Sequence, residues 1–378
     1  MISHNKINYH LTEIGYVIVI WVVASLLISY TKVNDMSSDS IAAVYHLQAD
    51  MTKGKLYSFV IFIAITAGLI MGILHSFVYP KMIRSRNHLL NATVRIFIFA
   101  CLIVLMLLGL SLIYSEPQAG TYKFLALPNI ALEQVFVFPI LTEIAAGTIL
   151  TLRRNLGQNY FSNFVRNAYF TPRDEERVFL FIDLKDSTPM VERLGNSAFS
   201  NLIQDCFRYL AKITLDCGGE LYQYVGDEAV ISWKIGENFK YLDCVLLHFT
   251  LRDVLQGKKD EFLRKYGQVP EFRTSIHRGI VSTALVGEYK TEIAYHGAVL
   301  NLTSRLQVLC KNHQAEVVVS EAFYRASSKE LDRFEIKRLE NVELKGISNL
   351  QNAYTLFLPE RKKTKKNPYP WKIYKGHI

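Results

Sequence analysis

The sequence predicts an α-helical membrane domain of four spans followed by an α+β domain of βαββαβ order, with helices on one face of an antiparallel sheet. Three observations carry this. Apolar residues make up half of the 378-residue chain and crowd into its first 150 positions. Four stretches there have about the 20 residues that cross a hydrocarbon core. Beyond them, short β-rich runs alternate with longer segments of helical period.

The four predicted spans are 14–30, 57–79, 94–114 and 130–152, within a membrane domain of residues 1–152. The first does not read as a cleaved signal peptide, because no short apolar region with a small-residue cleavage site stands out and three spans follow. Lys81, Arg84 and Arg86 lie between the second and third spans, and Arg153 and Arg154 lie just past the fourth. Cytoplasmic connections carry the excess of Lys and Arg, so both termini and the soluble domain are expected on that side. Glu133, Glu143 and His75 fall within the spans, where ionisable groups are expensive to bury. Glu143 lies about halfway down the last span and is expected to help sense or transmit a signal.

A linker, 153–175, follows. Leu156, Tyr160, Phe161, Phe164, Val165 and Tyr169 have helical spacing, and Pro172 is placed to stop the helix. The spacing predicts a helix continuous with the last span.

The soluble domain is expected over 176–358. Residues 177–183 read as a strand buried on both faces. Thr188 as N-cap, Pro189 at the first helical position and Glu192 in the first turn predict a helix to about Cys217. The run "GGELYQYVGDEAVISWK" predicts a hairpin turning at Gly226-Asp227. A helix over 239–266, a strand over 272–281 and a helix from about Ala298 complete the order.

In that layout the first strand neighbours the hairpin, so Asp183 at its end meets Asp227 at the hairpin tip. Paired carboxylates repel unless a cation lies between them, and they suit Mg²⁺ or Mn²⁺ shared with substrate phosphates. The helix start beyond Asp186 adds backbone N–H donors for a polyphosphate. Taken singly, Asp227 would merely fill a turn, and Asp186 or Thr188 merely cap a helix. Asn301 and Arg305, four apart on one helical face, suit a phosphoryl centre whose charge builds on nonbridging oxygens. Lys345, in "VELKGI", supplies a point charge for terminal phosphates.

The segments "FIDLKDST", "YVGDEAV", "HGAVLNLTSR" and "LKG", in this order, resemble the class III nucleotidyl cyclase domain in a bacterial branch, over about 173–358. The resemblance implies a ferredoxin-like core working as a head-to-tail homodimer in the bacterial inner membrane, with two Mg or Mn ions. It implies metal sites at Asp183, Leu184 and Asp227, and a transition-state pair at Asn301 and Arg305. Gln223, Ala294, Lys345, Ser187 and Thr188 are the implied contacts to a nucleoside triphosphate. The product would be a cyclic nucleotide, released with pyrophosphate.

The base-reading positions depart from the best-known types. Gln223 stands where adenylyl cyclases have Lys, and Ala294 where they have Asp or Thr, while the guanylyl pair of Glu and Cys is absent as well. A Gln amide pairs with either purine edge, and the resemblance favours ATP over GTP. Ser275, Arg278, Ala284 and Ala298 are further departures, which leave a weakly active, signal-passing module as an alternative. A diguanylate cyclase is disfavoured by Val225 and Ala229, which break its GG(D/E)EF turn, and a transporter rests only on the intramembrane acids and His75.

The five cysteines show no metal-ligand spacing and read as reduced thiols. The tail, 359–378, holds seven Lys or Arg against Glu360, so most of the net charge of +9 lies there. Such a tail suits anionic lipid headgroups or solvent. Nucleic acid is not expected as a partner.

Overall fold

The computed structural model describes residues 4–33, 53–82, 90, 93–101, 104, 137–157, 161–163, 168–289, 291–344 and 350–359. The chain divides into two compact units, Ile7–Leu156 and Gly157–Ile378, the latter together with Met1–Lys6.

In the first unit, α1 (His4–Val33) and α2 (Lys53–Ile73) are long and apolar enough to cross a membrane. α2 passes through a π-helical turn, Leu74–Val78, into a last α-turn, Tyr79–Met82. Most of the third predicted span and the start of the fourth lie outside the described residues. Part of the fourth stretch forms α3 (Phe138–Leu156), which is not among the two described helices long and apolar enough to cross a membrane. Small residues let α1 and α2 approach closely, since a Cβ on Gly68 would meet the Ile18 backbone at 2.7 Å. Some of the polar groups buried among these helices are paired across them. His75 Nε2 and Glu143 Oε1 are 2.8 Å apart, both nearly inaccessible. Glu13 is held by Arg154 at 2.8 and 3.1 Å and accepts from Ser76 at 3.0 Å. The π turn presents His75 and Ser76 to these partners, and π bulges often mark functional positions.

The linker differs from expectation. α3 ends at Leu156, and Gly157 takes φ +90°, in the left-handed region that stops a helix, so the continuous helix is interrupted there. Residues 161–163 are helical, and 158–160 and 164–167 lie outside the described residues.

The second unit is built on an eight-stranded sheet ordered β2-β3-β1-β4-β6-β8-β7, with β5 paired to β4. Its strands are β1 (Arg173–Leu184), β2 (Glu220–Val225), β3 (Glu228–Lys234), β4 (Phe272–Val286), β5 (Glu292–His296), β6 (Val317–Ser320), β7 (Glu335–Val342) and β8 (Gln351–Phe357). The first four strands take the expected βαββαβ arrangement. α4 (Ser187–Asp216) connects β1 to β2, and α5 (Tyr241–Gly257) with α6 (Lys259–Tyr266) connects β3 to β4. Beyond them β6 runs parallel to β4, so the whole sheet is mixed rather than antiparallel.

β1 is buried on both faces, as its apolar run predicts. Val178, Leu180 and Ile182 pack with α4 and α5 in the main core. Phe179 and Phe181 face a smaller cluster with Val230, Val281 and Val299. Val299 belongs to α7 (Ala298–Asn312), so this helix covers the opposite face from α4 and α5, and the expectation of helices on one face is corrected. α7 lies close to β4 because position 279 is Gly; a Cβ there would come within 2.7 Å of Val299 Cγ2. Ser275 Oγ donates to the Thr303 carbonyl at 2.8 Å and holds the same contact. A short α8 (Glu321–Ser327), N-capped by Ser320, packs on the main core through Phe323.

Three element boundaries moved. α4 starts at Ser187, one residue before the expected cap Thr188, and Asp186 precedes it in the left-handed conformation with no side-chain cap. α4 also breaks at Gly195 (φ +74°), and the helix expected over 239–266 is two helices meeting at Lys258. The cysteines are all free.

Candidate active site

The site is assembled by strand register. In the β1–β3 ladder Asp183 stands opposite Glu228, and in the β1–β4 ladder it stands opposite Arg273. Val225 pairs with Glu228 and closes a two-residue turn, with Gly226 (φ +64°) at its first central position, where a type II′ turn needs glycine. Asp227 completes the turn. The expected meeting of Asp183 and Asp227 is present, and their carboxyl groups lie within hydrogen-bonding reach.

The electrostatics reflect crowding. Burial, and then the neighbouring Asp227 charge, push the Asp183 carboxyl up to about 6, against a donated Leu184 N–H and the Arg273 cation. Glu228 is pushed up to about 7 by burial and then by Asp183 and Asp227. Glu228 and Arg273 were missed in the sequence. Glu228 was findable, because a hairpin turning at Gly226-Asp227 places the next residue opposite the end of β1. Arg273 gave no signal until the β4 register was known.

Two neighbouring acids at the end of an apolar strand fit a hard divalent cation. Among the described residues no group of three or more His, Cys, Asp or Glu forms a metal cage, so such an ion would take its other ligands from phosphates and water. The Leu184 side chain is buried in the core, which leaves only its backbone carbonyl to contribute.

Gln223 shares the face of Asp183. It pairs with Val230, which neighbours Phe181, two residues along β1 from Asp183. A bulge between Leu221 and Gln223 makes this possible by letting consecutive residues turn to one side. There Tyr222 meets Tyr295 with ring centroids 4.8 Å apart. Ala294, adjacent to Tyr295 on β5, points to the other side of the sheet. Ser187 is half-buried and Thr188 exposed at the start of α4. Asn301 and Arg305 are exposed, one turn apart on α7, on the side away from buried Thr303 and Leu306. Among the described residues no hydrogen bond or ion pair links them to Asp183 or Asp227. Lys345 lies outside the described residues, as does the tail beyond residue 359.

The family model for the adenylate and guanylate cyclase catalytic domain matches residues 171–358. Through this domain the chain belongs to the adenylate and guanylate cyclase family. The cyclase domain is 33% identical over 186 residues to adenylate cyclase 2 of Rhizobium meliloti (strain 1021), covering 49% of this chain and 51% of that protein. It is 23% identical over 207 residues to the terminal-differentiation specific adenylate cyclase of Dictyostelium discoideum, covering 52% of this chain and 10% of that one. The chain thus spans about half the length of the first relative and a tenth of the second. A bacterial light-regulated adenylyl cyclase shares the fold, with TM-score 0.50 and 14% identity over 60% of this chain and 65% of its own.

Proposed function

We propose that the chain is a membrane-bound nucleotidyl cyclase that converts ATP to cyclic AMP and pyrophosphate, working as a homodimer with two Mg²⁺ or Mn²⁺ ions per site. The observation that carries this is the meeting of Asp183 and Asp227 at the end of β1. Both relatives are adenylate cyclases, which favours ATP. Bound at the Asp183–Asp227 pair, the ions would acidify the ribose 3′-hydroxyl and offset phosphate charge.

The chain's own residues supply the rest. The first turn of α4, at Ser187 and Thr188, offers backbone N–H groups to the triphosphate. Asn301 and Arg305 donate to the nonbridging oxygens of the α-phosphorus as the 3′-oxygen bonds to it and pyrophosphate departs. Their separation from the carboxylates supports a site completed by a second copy, each copy lending one half. Gln223 reads the base through its amide, and Lys345 holds the terminal phosphates.

α1 and α2 support membrane anchoring, and the charge pattern supports four spans with the cyclase domain in the cytoplasm. Product analysis on the purified protein with Mn²⁺, with ATP and GTP in separate reactions and Asp227→Ala as the blank, tests the reading. A cyclic nucleotide lost in the variant supports it and fixes the base. No product from either triphosphate, in detergent and in membranes, would leave a silent signal-passing module.

A further inference from the structure

A cavity of about 600 Å³ opens in the cyclase domain where β4 begins. Four cations line it from four places: Lys185 just beyond β1, Arg252 on α5, Arg273 on β4 and Lys311 near the end of α7. Two are matched by carboxylates of the same wall. Lys185 Nζ donates to Glu271 at 3.0 Å, and Arg252 donates to Glu316 at 2.8 Å. Arg273 has the exposed Asp186 at 3.6 Å and the Asp183 carboxyl beside it, and Lys311 has no ion-pair partner among the described residues. Among the lining residues four cations therefore face two carboxylates, with Arg273 partly offset from outside the wall. His248 also lines the cavity and is 2% exposed. Its Nδ1 shares a 2.8 Å hydrogen bond with Thr274 Oγ1, while its Nε2, 3.5 Å from Glu316, has no hydrogen-bond partner.

We propose that this cavity binds a small phosphorylated metabolite, separately from the nucleotide site. The volume suits a small molecule, and a concave wall concentrates the field of its cations. A phosphomonoester suits this wall, with Lys311 as a point charge and Arg273 as a planar fork. The open Nε2 edge of His248 adds a buried polar contact. Arg273 also stands opposite Asp183 in the β1–β4 ladder, so one guanidinium borders both sites. Occupancy of the cavity and of the nucleotide site are then coupled, reciprocally and in either direction.

Isothermal titration of the full chain in detergent with glycerol 3-phosphate, in EDTA so that the catalytic carboxylates lack metal, tests this. One site per chain is expected. Lys311→Gln should weaken it about tenfold, the worth of one charge-assisted contact. Lys311→Arg should bind much as the parent does, and Arg305→Ala should not alter binding. The proposal is overturned by no binding up to about 20 mM, well above the weak end of specific affinity. It is equally overturned if Lys311→Gln binds as tightly as the parent, or if Arg305→Ala abolishes binding, which would place the ligand in the nucleotide site.

Discussion

Asp183 and Glu228 face each other across the β1–β3 ladder, with Asp227 one residue away. Three carboxylates at one strand end store repulsion that a divalent cation relieves. Asp183 is held up at about 6 and Glu228 at about 7, so in the metal-free protein each contributes stability below the ordinary carboxylate range, near 4, that is lost as pH rises through its folded value. The thermal midpoint in EDTA should therefore fall between pH 5 and 8. Asp183→Asn should flatten that fall and stabilise the metal-free protein by on the order of 1 kcal/mol while abolishing cyclase activity. A steeper fall in the variant would count against this account.

Glu228→Gln should leave the fold intact and remove one negative charge beside the metal pair. Activity at saturating Mn²⁺ should persist, and the Mn²⁺ concentration for half-maximal rate should rise by roughly three- to tenfold. A metal titration of the rate checks it.

Asn301 and Arg305 do not touch the carboxylates of their own chain among the described residues. Co-expressed Asp227→Ala and Arg305→Ala chains, each inactive alone, should recover up to about a quarter of parental activity, since half of the dimers would be mixed and each would hold one intact site. Failure of the mixture to recover activity would argue for sites built within one chain.

Arg177 is nearly inaccessible and donates to Glu175 at 2.9 Å, Glu220 at 3.0 Å and Ser232 at 3.1 Å, with its guanidinium over the Tyr295 ring. Burial opposes its charge, but Glu220 and the other partners hold its pKa above the ordinary arginine value. Arg177→Gln removes the buried cation that Glu175 and Glu220 share and should destabilise the cyclase domain by roughly 3–5 kcal/mol, read as a lowered thermal midpoint.

His75 and Glu143 form a buried pair in the first unit. If the pair takes part in sensing, Glu143→Gln should change basal cyclase activity or its response to lipid or ligand by at least about fivefold, the low end of coupling between sites. An unchanged rate and response would end that idea.

Much of the site was legible because its signals are local. The apolar run before Asp183 marks a strand end, and Gly226-Asp227 marks a turn. Asn301 and Arg305 need only helical spacing to share a face. Glu228 and Arg273 were not legible in the same way, because what defines them is cross-strand register over 45 and 90 residues of sequence. The opposite placement of α7 was hidden for a related reason. Its apolar stripe reports a buried face, but not which side of the sheet it covers. The interruption at Gly157 went unread because one glycine inside a helical pattern is often tolerated.

Gly279 lets α7 lie close to β4, with no room for a Cβ beside Val299. Any larger residue would act as a shim, lifting the helix and carrying Asn301 and Arg305 with it. Since reacting groups must be placed to within about an ångström, a methyl group at this half-buried position would detune the rate of the proposed reaction. The catalytic tolerance of the enzyme is thus written partly in an atom that is missing.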